Sequence, residues 1–131
     1  MEKAQKLIMV VEDERMLLDA VQKKLTSSGY EVAPHSSALS ALEYLKTSDR
    51  VPDAIWLDYY LEDMNGLEFM HKLTENEAWT NIPVIVVSNS ASTPKVNAMV
   101  ALGVKKYFLK AENKLEDIIT SLSDVLSQKN D

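Results

Sequence analysis

The feature that most constrains the fold is an apolar run that ends on one acid, Ala54-Ile55-Trp56-Leu57-Asp58. Its apolar residues follow one another without polar alternation, which predicts a strand covered on both faces, as in the middle of a parallel sheet. In open α/β sheets, ligands bind outside the carboxyl ends of the strands. We therefore expect Asp58 to face a crevice at the end of this strand and not the core.

Length, charge and cysteine content narrow the class of protein. A chain of 131 residues can bury a core without cross-links, and we expect a single domain over residues 1–131 with its core at about 7–126. The formal net charge of -6 argues against a nucleic-acid binder and allows a cation site. The absence of cysteine excludes disulfides and thiolate metal sites. The apolar run at Leu7–Val11 is too short for a signal peptide or a membrane span, so we expect a cytoplasmic protein without membrane insertion.

Strand and helix patterns alternate along the chain. Continuous apolar runs predict buried strands at residues 7–11, 54–58 and 82–88, and mixed runs at 30–34 and 104–109 predict edge strands. Periodicity and capping signals predict helices from Glu14 to Ser28, from Ser36 or Ser37 to about Thr47, from Asn65 to about Glu77, from the N-cap Thr93 to the stop at Gly103, and from Asn113 to about Leu126.

The character of the strands also predicts their order. The first, third and fourth strands are fully apolar and belong in the centre, and the two mixed strands belong at the edges. This arrangement matches the order 2-1-3-4-5 of an α/β flavodoxin-like (βα)5 fold, a doubly wound parallel sheet. Its crevice lies between the first and third strands, where Glu12, Asp13 and Asp58 converge. Ser88 and Lys110, at the ends of the fourth and fifth strands, line the same crevice.

This set of side chains suits phosphoryl transfer. Three neighbouring carboxylates repel one another unless a pKa rises or a cation binds, and Mg²⁺ prefers an open site of carboxylates, waters and a phosphate oxygen. A carboxylate can attack phosphorus and form an aspartyl phosphate, whose oxygens then need a metal, a cation and a hydroxyl or amide donor. Asp58, Mg²⁺, Lys110 and Ser88 would fill these roles in turn.

Each of these residues also has an ordinary structural explanation. Asp13 can be a helix N-cap, Asp58 the start of a turn, Ser88 a polar loop residue and Lys110 a solvated side chain. Those explanations do not predict that an acid pair, an acid, a hydroxyl and a lysine should close four strands of one sheet. The joint pattern favours a functional site.

The motifs resemble those of a receiver domain of the two-component response regulators, over nearly the whole chain from Leu7 to Leu126. The chain is most similar to the single-domain, chemotaxis-regulator-like type. The matching segments are the acidic pair Val10-Val11-Glu12-Asp13, the phosphoacceptor Trp56-Leu57-Asp58, the loop Met64-Asn65-Gly66, the hydroxyl segment Val87-Ser88-Asn89-Ser90-Ala91 and the aromatic and lysine segment Leu102–Lys110.

The resemblance implies a set of ligands at the crevice. Asp13 and Asp58 would bind Mg²⁺ directly, the backbone carbonyl of Tyr60 would add a ligand, and Glu12 would act mostly through water. Ser88 and Lys110 would hold the phosphoryl oxygens on the phosphoacceptor Asp58.

The resemblance also implies a switch and partners. Ser88 would move toward the phosphoryl group, Tyr107 would fill the vacated space, and the face of the fourth helix, fifth strand and fifth helix would signal to a downstream protein. The phosphoryl group would come from a sensor histidine kinase or a histidine phosphotransfer domain. Met16 lies off the apolar stripe of its predicted helix, one position from the crevice side, so we expect it to be exposed and to contact the helical domain of a donor kinase. Tyr60 and Ser90 would flank the path of the hydrolytic water, and neither is suited to orient it, which predicts slow self-dephosphorylation.

The protein would catalyse only its own phosphorylation and dephosphorylation, with no direct contact to nucleic acid.

Two positions depart from the family pattern. Ala111 follows Lys110 where the family usually has a proline joined by a cis peptide, and Glu62 replaces a usual proline in the loop after the phosphoacceptor. Because a cis bond without proline is costly, the sequence leaves the isomer of the Lys110–Ala111 bond, and with it the position of Lys110, open.

Other functions stay open at this point. An FMN-binding flavodoxin-like protein is disfavoured by the acidic turn at residues 12–15, where a phosphate cradle is rich in serine, threonine and glycine. A receiver-like interaction module that works without phosphorylation is the other alternative. The chain is a stand-alone regulator, a phosphorelay intermediate or a part of a larger protein, and the sequence does not choose among these.

Overall fold

Strands and helices alternate throughout the computed structural model, which describes residues 5–129. The elements are β1 (Leu7–Val11), α1 (Arg15–Ser27), β2 (Glu31–His35), α2 (Ala38–Thr47), β3 (Ala54–Asp58), α3 (Gly66–Thr74), β4 (Val84–Ser88), α4 (Thr93–Ala101), β5 (Lys106–Leu109) and α5 (Leu115–Lys129).

The strands form one parallel sheet in the order β2-β1-β3-β4-β5, which confirms the predicted topology. Every residue of β1, β3 and β4 is buried, whereas β2 and β5 carry exposed or half-buried residues. The pairing of Val11 with Leu57, of Asp58 with Val87 and of Ser88 with Leu109 aligns the carboxyl ends of the strands. The side chains that end these strands therefore share one edge of the sheet.

The core lies in two layers, one on each face of the sheet. Ile55 and Leu57 of β3 pack on one face with residues of α2, α3 and α4, and Trp56 packs on the other face with residues of α1 and α5. Trp56 is 1% exposed. Burial of a side chain of this size contributes about 3–5 kcal/mol, judged by the cost of truncating buried aromatic residues. Core packing on both faces thus fixes β3 and, with it, the position of Asp58.

Several predicted element boundaries shift by a few residues. The N-cap of α4 is Ser92 and not Thr93, because the Ser92 hydroxyl accepts from the amide of Lys95 at 3.4 Å and helical geometry already includes Thr93. The prediction that α3 reaches Glu77 was wrong. The helix ends at Thr74, and the Asn76 side chain accepts from the amide of Ala78 at 2.9 Å in a following turn.

The predicted starts of three strands and of the last helix also differ from the structure by one or two residues. Strand β2 begins and ends one residue later than predicted, and β4 and β5 each begin two residues later. Helix α5 begins at Leu115, so Asn113 lies before it and donates its side-chain amide to the carbonyl of Leu109 at 3.0 Å.

Among residues 5–129, no helix has the length and apolar character needed to cross a bilayer.

Candidate functional site

Five predicted site residues meet at the carboxyl edge of the sheet. Glu12 and Asp13 follow β1, Asp58 ends β3, Ser88 ends β4 and Lys110 follows β5. The amide of Lys110 donates to the carbonyl of Ser88 at 2.8 Å, which extends the pairing of β4 and β5 to the site. Glu12, Asp58 and Ser88 are buried, at 1%, 3% and 0% exposure, although polar side chains rarely are. Their burial indicates that the fold holds these polar side chains in defined positions and does not leave them in solvent.

The three acids form a compact cluster. Glu12, Asp13 and Asp58 each present a carboxylate oxygen within 4.8 Å of the other two. Backbone amides hold each group in place: Glu12 accepts from Glu14 at 3.0 Å, Asp13 from Glu62 at 3.0 Å and Asp58 from Tyr60 at 3.3 Å. The loop after β3 therefore bonds to two of the three acids.

Lys110 partly balances the charge of this cluster. Its Nζ lies 3.0 Å from Oε1 of Glu12 and 3.5 Å from Oδ2 of Asp58. Burial lowers the pKa of Lys110, but its bond to Glu12 and the charge of Asp58 outweigh that effect and raise the pKa above its usual value. All peptide bonds in the described part of the chain, including Lys110–Ala111, are trans. With this trans bond Lys110 still reaches the acids. The absence of proline at Ala111 therefore does not displace the lysine from the site.

The acids retain an excess of negative charge despite this lysine. Burial, followed by the charge of Glu12, raises the pKa of Asp58 to about 7, and Lys110 only partly opposes the rise. A cation among the carboxylates would offset both the burial and the repulsion that keep a proton on Asp58.

The donor set of the cluster suits a hard cation. It consists of carboxylate oxygens without cysteine or histidine, and Asp13 is half-exposed, so water can complete the coordination shell. Mg²⁺ typically binds through a few carboxylates and keeps several waters. Glu12, Asp13 and Asp58 could therefore hold a magnesium ion, whereas the Tyr60 carbonyl as a further ligand stays a prediction.

The predicted switch residues lie beside the acids. Ser88 is fully buried, and its Oγ accepts from the amide of Ser90 at 3.4 Å. Tyr107 is half-buried, and its hydroxyl donates to the carbonyl of Ser90 at 2.9 Å. Burial raises the pKa of the Tyr107 phenol. The backbone of Ser90 thus connects the hydroxyl of Ser88 with the aromatic residue of β5.

The sequence pattern did not identify two residues that lie near the site. Lys95, in the first turn of α4, donates its ammonium group to the phenol oxygen of Tyr60. Asp63 accepts from the amides of Ala38 at 3.1 Å and Leu39 at 2.8 Å, which ties the loop after β3 to the first turn of α2. Neither residue ends a strand, so the pattern that identified the acids could not identify them. The predicted start of α4 near Thr93 was the one sequence signal that placed Lys95 at this edge.

Known proteins share both the sequence pattern and the fold. The transcriptional regulatory protein KdpE of Mycobacterium tuberculosis (strain CDC 1551 / Oshkosh) is 35% identical over 105 residues, which are 79% of this chain and 44% of that protein. The chain thus spans less than half the length of this relative. A CheY-like response regulator receiver domain protein from Methanospirillum hungatei JF-1 superposes with a TM-score of 0.87 at 23% identity, covering 97% and 98% of the two chains.

A second solved structure is similar at slightly higher identity. The phosphorylated cyanobacterial phytochrome response regulator RcpA superposes with a TM-score of 0.79 at 26% identity, covering 93% of this chain and 91% of that one. The family model described as the response regulator receiver domain matches residues 8–123. The fold, the cluster of side chains at the strand ends and the family match all agree. The chain therefore belongs to the receiver domains of two-component response regulators.

Proposed function

We propose that this receiver domain accepts a phosphoryl group on Asp58 from a histidine kinase or a histidine phosphotransfer domain. The observation that carries the proposal is the placement of Asp58, which is 3% exposed, clustered with Glu12 and Asp13, and 3.5 Å from the ammonium of Lys110. A buried carboxylate beside two acids and a lysine can bind a metal and a phosphoryl group together. Similarity to RcpA, whose structure is of a phosphorylated protein, supports the same reading.

In the proposed reaction the carboxylate of Asp58 is the nucleophile. One of its oxygens bonds to phosphorus, the bond from phosphorus to the donor's nitrogen or oxygen breaks, and the donor leaves with that electron pair. Asp13 and Asp58, with Glu12 through water, would hold Mg²⁺, which would supply positive charge for the phosphoryl oxygens. The nucleophile must be ionised, and the raised pKa of Asp58 opposes that ionisation, so a cation at the cluster would favour attack by lowering this pKa.

Lys110 and Ser88 stabilise the new phosphoryl group. Lys110 now contacts both Glu12 and Asp58, so a small movement of its Nζ brings it to a phosphoryl oxygen on Asp58. The buried hydroxyl of Ser88 ends the neighbouring strand β4 and donates to another phosphoryl oxygen. Both bonds are charge-assisted and therefore stronger than bonds between neutral groups.

The output of the proposed reaction is a change in the α4-β5-α5 face. When Ser88 turns toward the phosphoryl group, its contact with the amide of Ser90 changes, and the carbonyl of Ser90 holds the hydroxyl of Tyr107. These two hydrogen bonds of Ser90 therefore support a path by which a change at Asp58 would reach β5. Two states that differ by only a few kcal/mol are enough for such a switch.

The donor approaches from the side of α1. Met16 is 82% exposed in the first turn of that helix, close in sequence to Asp13. A flexible apolar side chain suits contact with a helical partner.

An FMN site is disfavoured, because the amide of Glu14 at the start of α1 is taken by the carboxylate of Glu12 and cannot bind a phosphate.

Intact-mass measurement after treatment with Mg²⁺ and acetyl phosphate tests the proposed function. The wild type should gain the mass of one phosphoryl group, and Asp58→Asn should gain none, because it keeps the shape of the side chain but removes the nucleophile. Asp124→Asn, which alters an exposed acid of α5, is the matched control and should behave as the wild type. A wild type that gains no mass would instead be an interaction module that works without phosphorylation.

A further inference from the structure

The phenol of Tyr60 is held by two side chains that follow β4, one in the loop and one in α4. Ser90, between β4 and α4, donates its hydroxyl to the phenol oxygen at 3.1 Å, and Lys95 donates its ammonium group to the same oxygen. The backbone of Tyr60 lies next to the acids, since its amide donates to Oδ1 of Asp58 at 3.3 Å. The ring therefore bridges the loops after β3 and β4, the strands that end on Asp58 and Ser88.

Lys95 occupies a position that a helix disfavours. It lies in the first turn of α4, where the helix dipole opposes a positive charge, and that turn contains no acidic residue to compensate. It is also half-buried, although most lysines are exposed. Its compensation comes from Tyr59 and Tyr60, which implies that the position of Lys95 depends on these rings.

The two tyrosines contact Lys95 in different ways. Its Nζ lies 4.7 Å from the ring centroid of Tyr59, which is a cation–π distance. The nitrogen is also 4.3 Å from the ring centroid of Tyr60, but a nitrogen bonded to the phenol oxygen lies at the rim of that ring. The Tyr60 contact is therefore a hydrogen bond, and removal of the Tyr60 hydroxyl should remove it.

We propose that Lys95 is a positioning residue that sets the lifetime of the phosphoryl group on Asp58. It holds the Tyr60 ring across the gap between the two loops and so limits the access of water. In the reaction that it slows, a water oxygen bonds to phosphorus, the bond from phosphorus to the Asp58 oxygen breaks, and the carboxylate leaves with the electron pair. The inference rests on the proposed function and concerns how long the phosphoryl group stays, not whether it attaches.

The first test is the rate at which the phosphoryl group is lost. The full chain is phosphorylated with acetyl phosphate and Mg²⁺, the donor is removed, and the decay is followed by intact mass. Lys95→Met should lose the group about three- to tenfold faster than the wild type, the range that corresponds to one lost hydrogen bond. Lys95→Arg, which keeps a charged donor, should restore a rate close to that of the wild type.

Lys105→Met is the matched control for the change in charge. Lys105 is exposed, and its amide pairs with Val84 at the opposite edge of the sheet from Asp58. This variant should decay at the wild-type rate. If Lys105→Met accelerated decay as much as Lys95→Met, net charge and not the Tyr60 contact would be responsible, and the inference would be overturned.

A double-mutant cycle tests whether Lys95 acts through Tyr60. Tyr60→Phe keeps the ring and the backbone but removes the hydroxyl, and with it the bonds from both Lys95 and Ser90, so it should accelerate decay at least as much as Lys95→Met. Because both changes remove the same bond, Lys95→Met in the Tyr60→Phe background should add little. Additive effects would show that Lys95 acts independently of the phenol and would overturn the inference.

A spectroscopic readout needs neither metal nor phosphoryl group. The ring resonances of Tyr60 in the unphosphorylated protein should shift in Lys95→Met and stay in place in Lys105→Met. Unchanged Tyr60 resonances, or a decay rate of Lys95→Met equal to that of a phosphorylated wild type, would overturn this inference alone. A wild type that accepts no phosphoryl group would overturn the proposed function and the inference with it.

Discussion

At the scale of single residues, the site is dominated by the shifted titration of Asp58. Burial and the charge of Glu12 raise its pKa from 3.8 to about 7, although Lys110 lies 3.5 Å away. One lysine therefore does not offset three carboxylates and the loss of water around them. The residue that the proposed reaction needs as an anion is the residue whose charge this fold disfavours.

This shift predicts how stability depends on pH. Between about pH 4 and pH 7 the folded chain keeps a proton on Asp58 that the unfolded chain has released, so the free energy of unfolding falls as pH rises through this window. The contribution amounts to roughly 2–4 kcal/mol across the window. Asp58→Asn cannot ionise, so its stability relative to the wild type should grow from about pH 5 to about pH 7.

Urea unfolding without divalent cations, at both pH values, measures this difference. Asp124→Asn is the control, because it removes an exposed acid of α5 and leaves Asp58 unchanged. A constant stability difference between wild type and Asp58→Asn at the two pH values would contradict the raised pKa.

The same acids predict stabilisation by magnesium. Mg²⁺ that binds only the folded chain should raise Tm, by about 5 °C when the ion is about tenfold above its dissociation constant. Asp13→Ala removes one of the clustered carboxylates and should abolish most of this gain, whereas Asp124→Ala should keep it. Thermal melts with and without millimolar Mg²⁺ provide the measurement, and a wild-type Tm indifferent to the ion would exclude a metal site at these acids.

At the scale of elements, the loop after β3 is fixed by side chains that the sequence pattern did not identify. Asp63 accepts from two amides at the start of α2, as an N-cap would, but it does so from a distant part of the chain. A long-range cap leaves no local signature, because capping motifs are recognised from residues a few positions apart. The shift of the α4 cap to Ser92 has a different cause, since Ser92 and Thr93 are adjacent, both residue types cap helices, and serine is the more favourable of the two.

We predict that Asp63→Ala lowers the free energy of unfolding by about 1–2 kcal/mol, the usual cost of a lost N-cap. The amides of Ala38 and Leu39 would lose their acceptor, and the loop after β3 would lose its tie to α2. Glu62→Ala is the matched control, because Glu62 is exposed and its described hydrogen bond is made by its backbone. Equal stability of the two variants in urea unfolding would show that the long-range cap contributes little.

At the scale of the whole molecule, the sequence predicted the architecture well because burial and side-chain chemistry agree. The apolar runs of β1, β3 and β4 identified the central strands, and the fold confirms both their position and the strand order. The same order brought Glu12, Asp13, Asp58, Ser88 and Lys110 to one edge, as expected from their places at strand ends. The contacts of Lys95 and Asp63 escaped prediction because they depend on the paths of loops, which no periodicity describes.

The proposed switch belongs to this scale, because it would link the site to the α4-β5-α5 face. Ser88→Ala should still accept a phosphoryl group, since Asp58 and Lys110 remain, but it should transmit less to Tyr107 through Ser90. Amide spectra of the α4-β5-α5 face with and without beryllofluoride, a phosphoryl mimic, should differ clearly in the wild type and less in Ser88→Ala. Ser27→Ala, which alters an exposed residue of α1, should match the wild type. Identical wild-type spectra around Tyr107 in the two conditions would exclude the coupling.

The position of the phosphoryl group on the chain tests the central claim most directly. After phosphorylation with acetyl phosphate and Mg²⁺, borohydride reduction converts an aspartyl phosphate into homoserine, and peptide mass spectrometry locates the converted residue. We expect homoserine at position 58 alone, because Asp58 is the acid that ends a central strand beside the acid pair and Lys110. Conversion at Asp13 or at any other acid, or no conversion at all, would contradict the account.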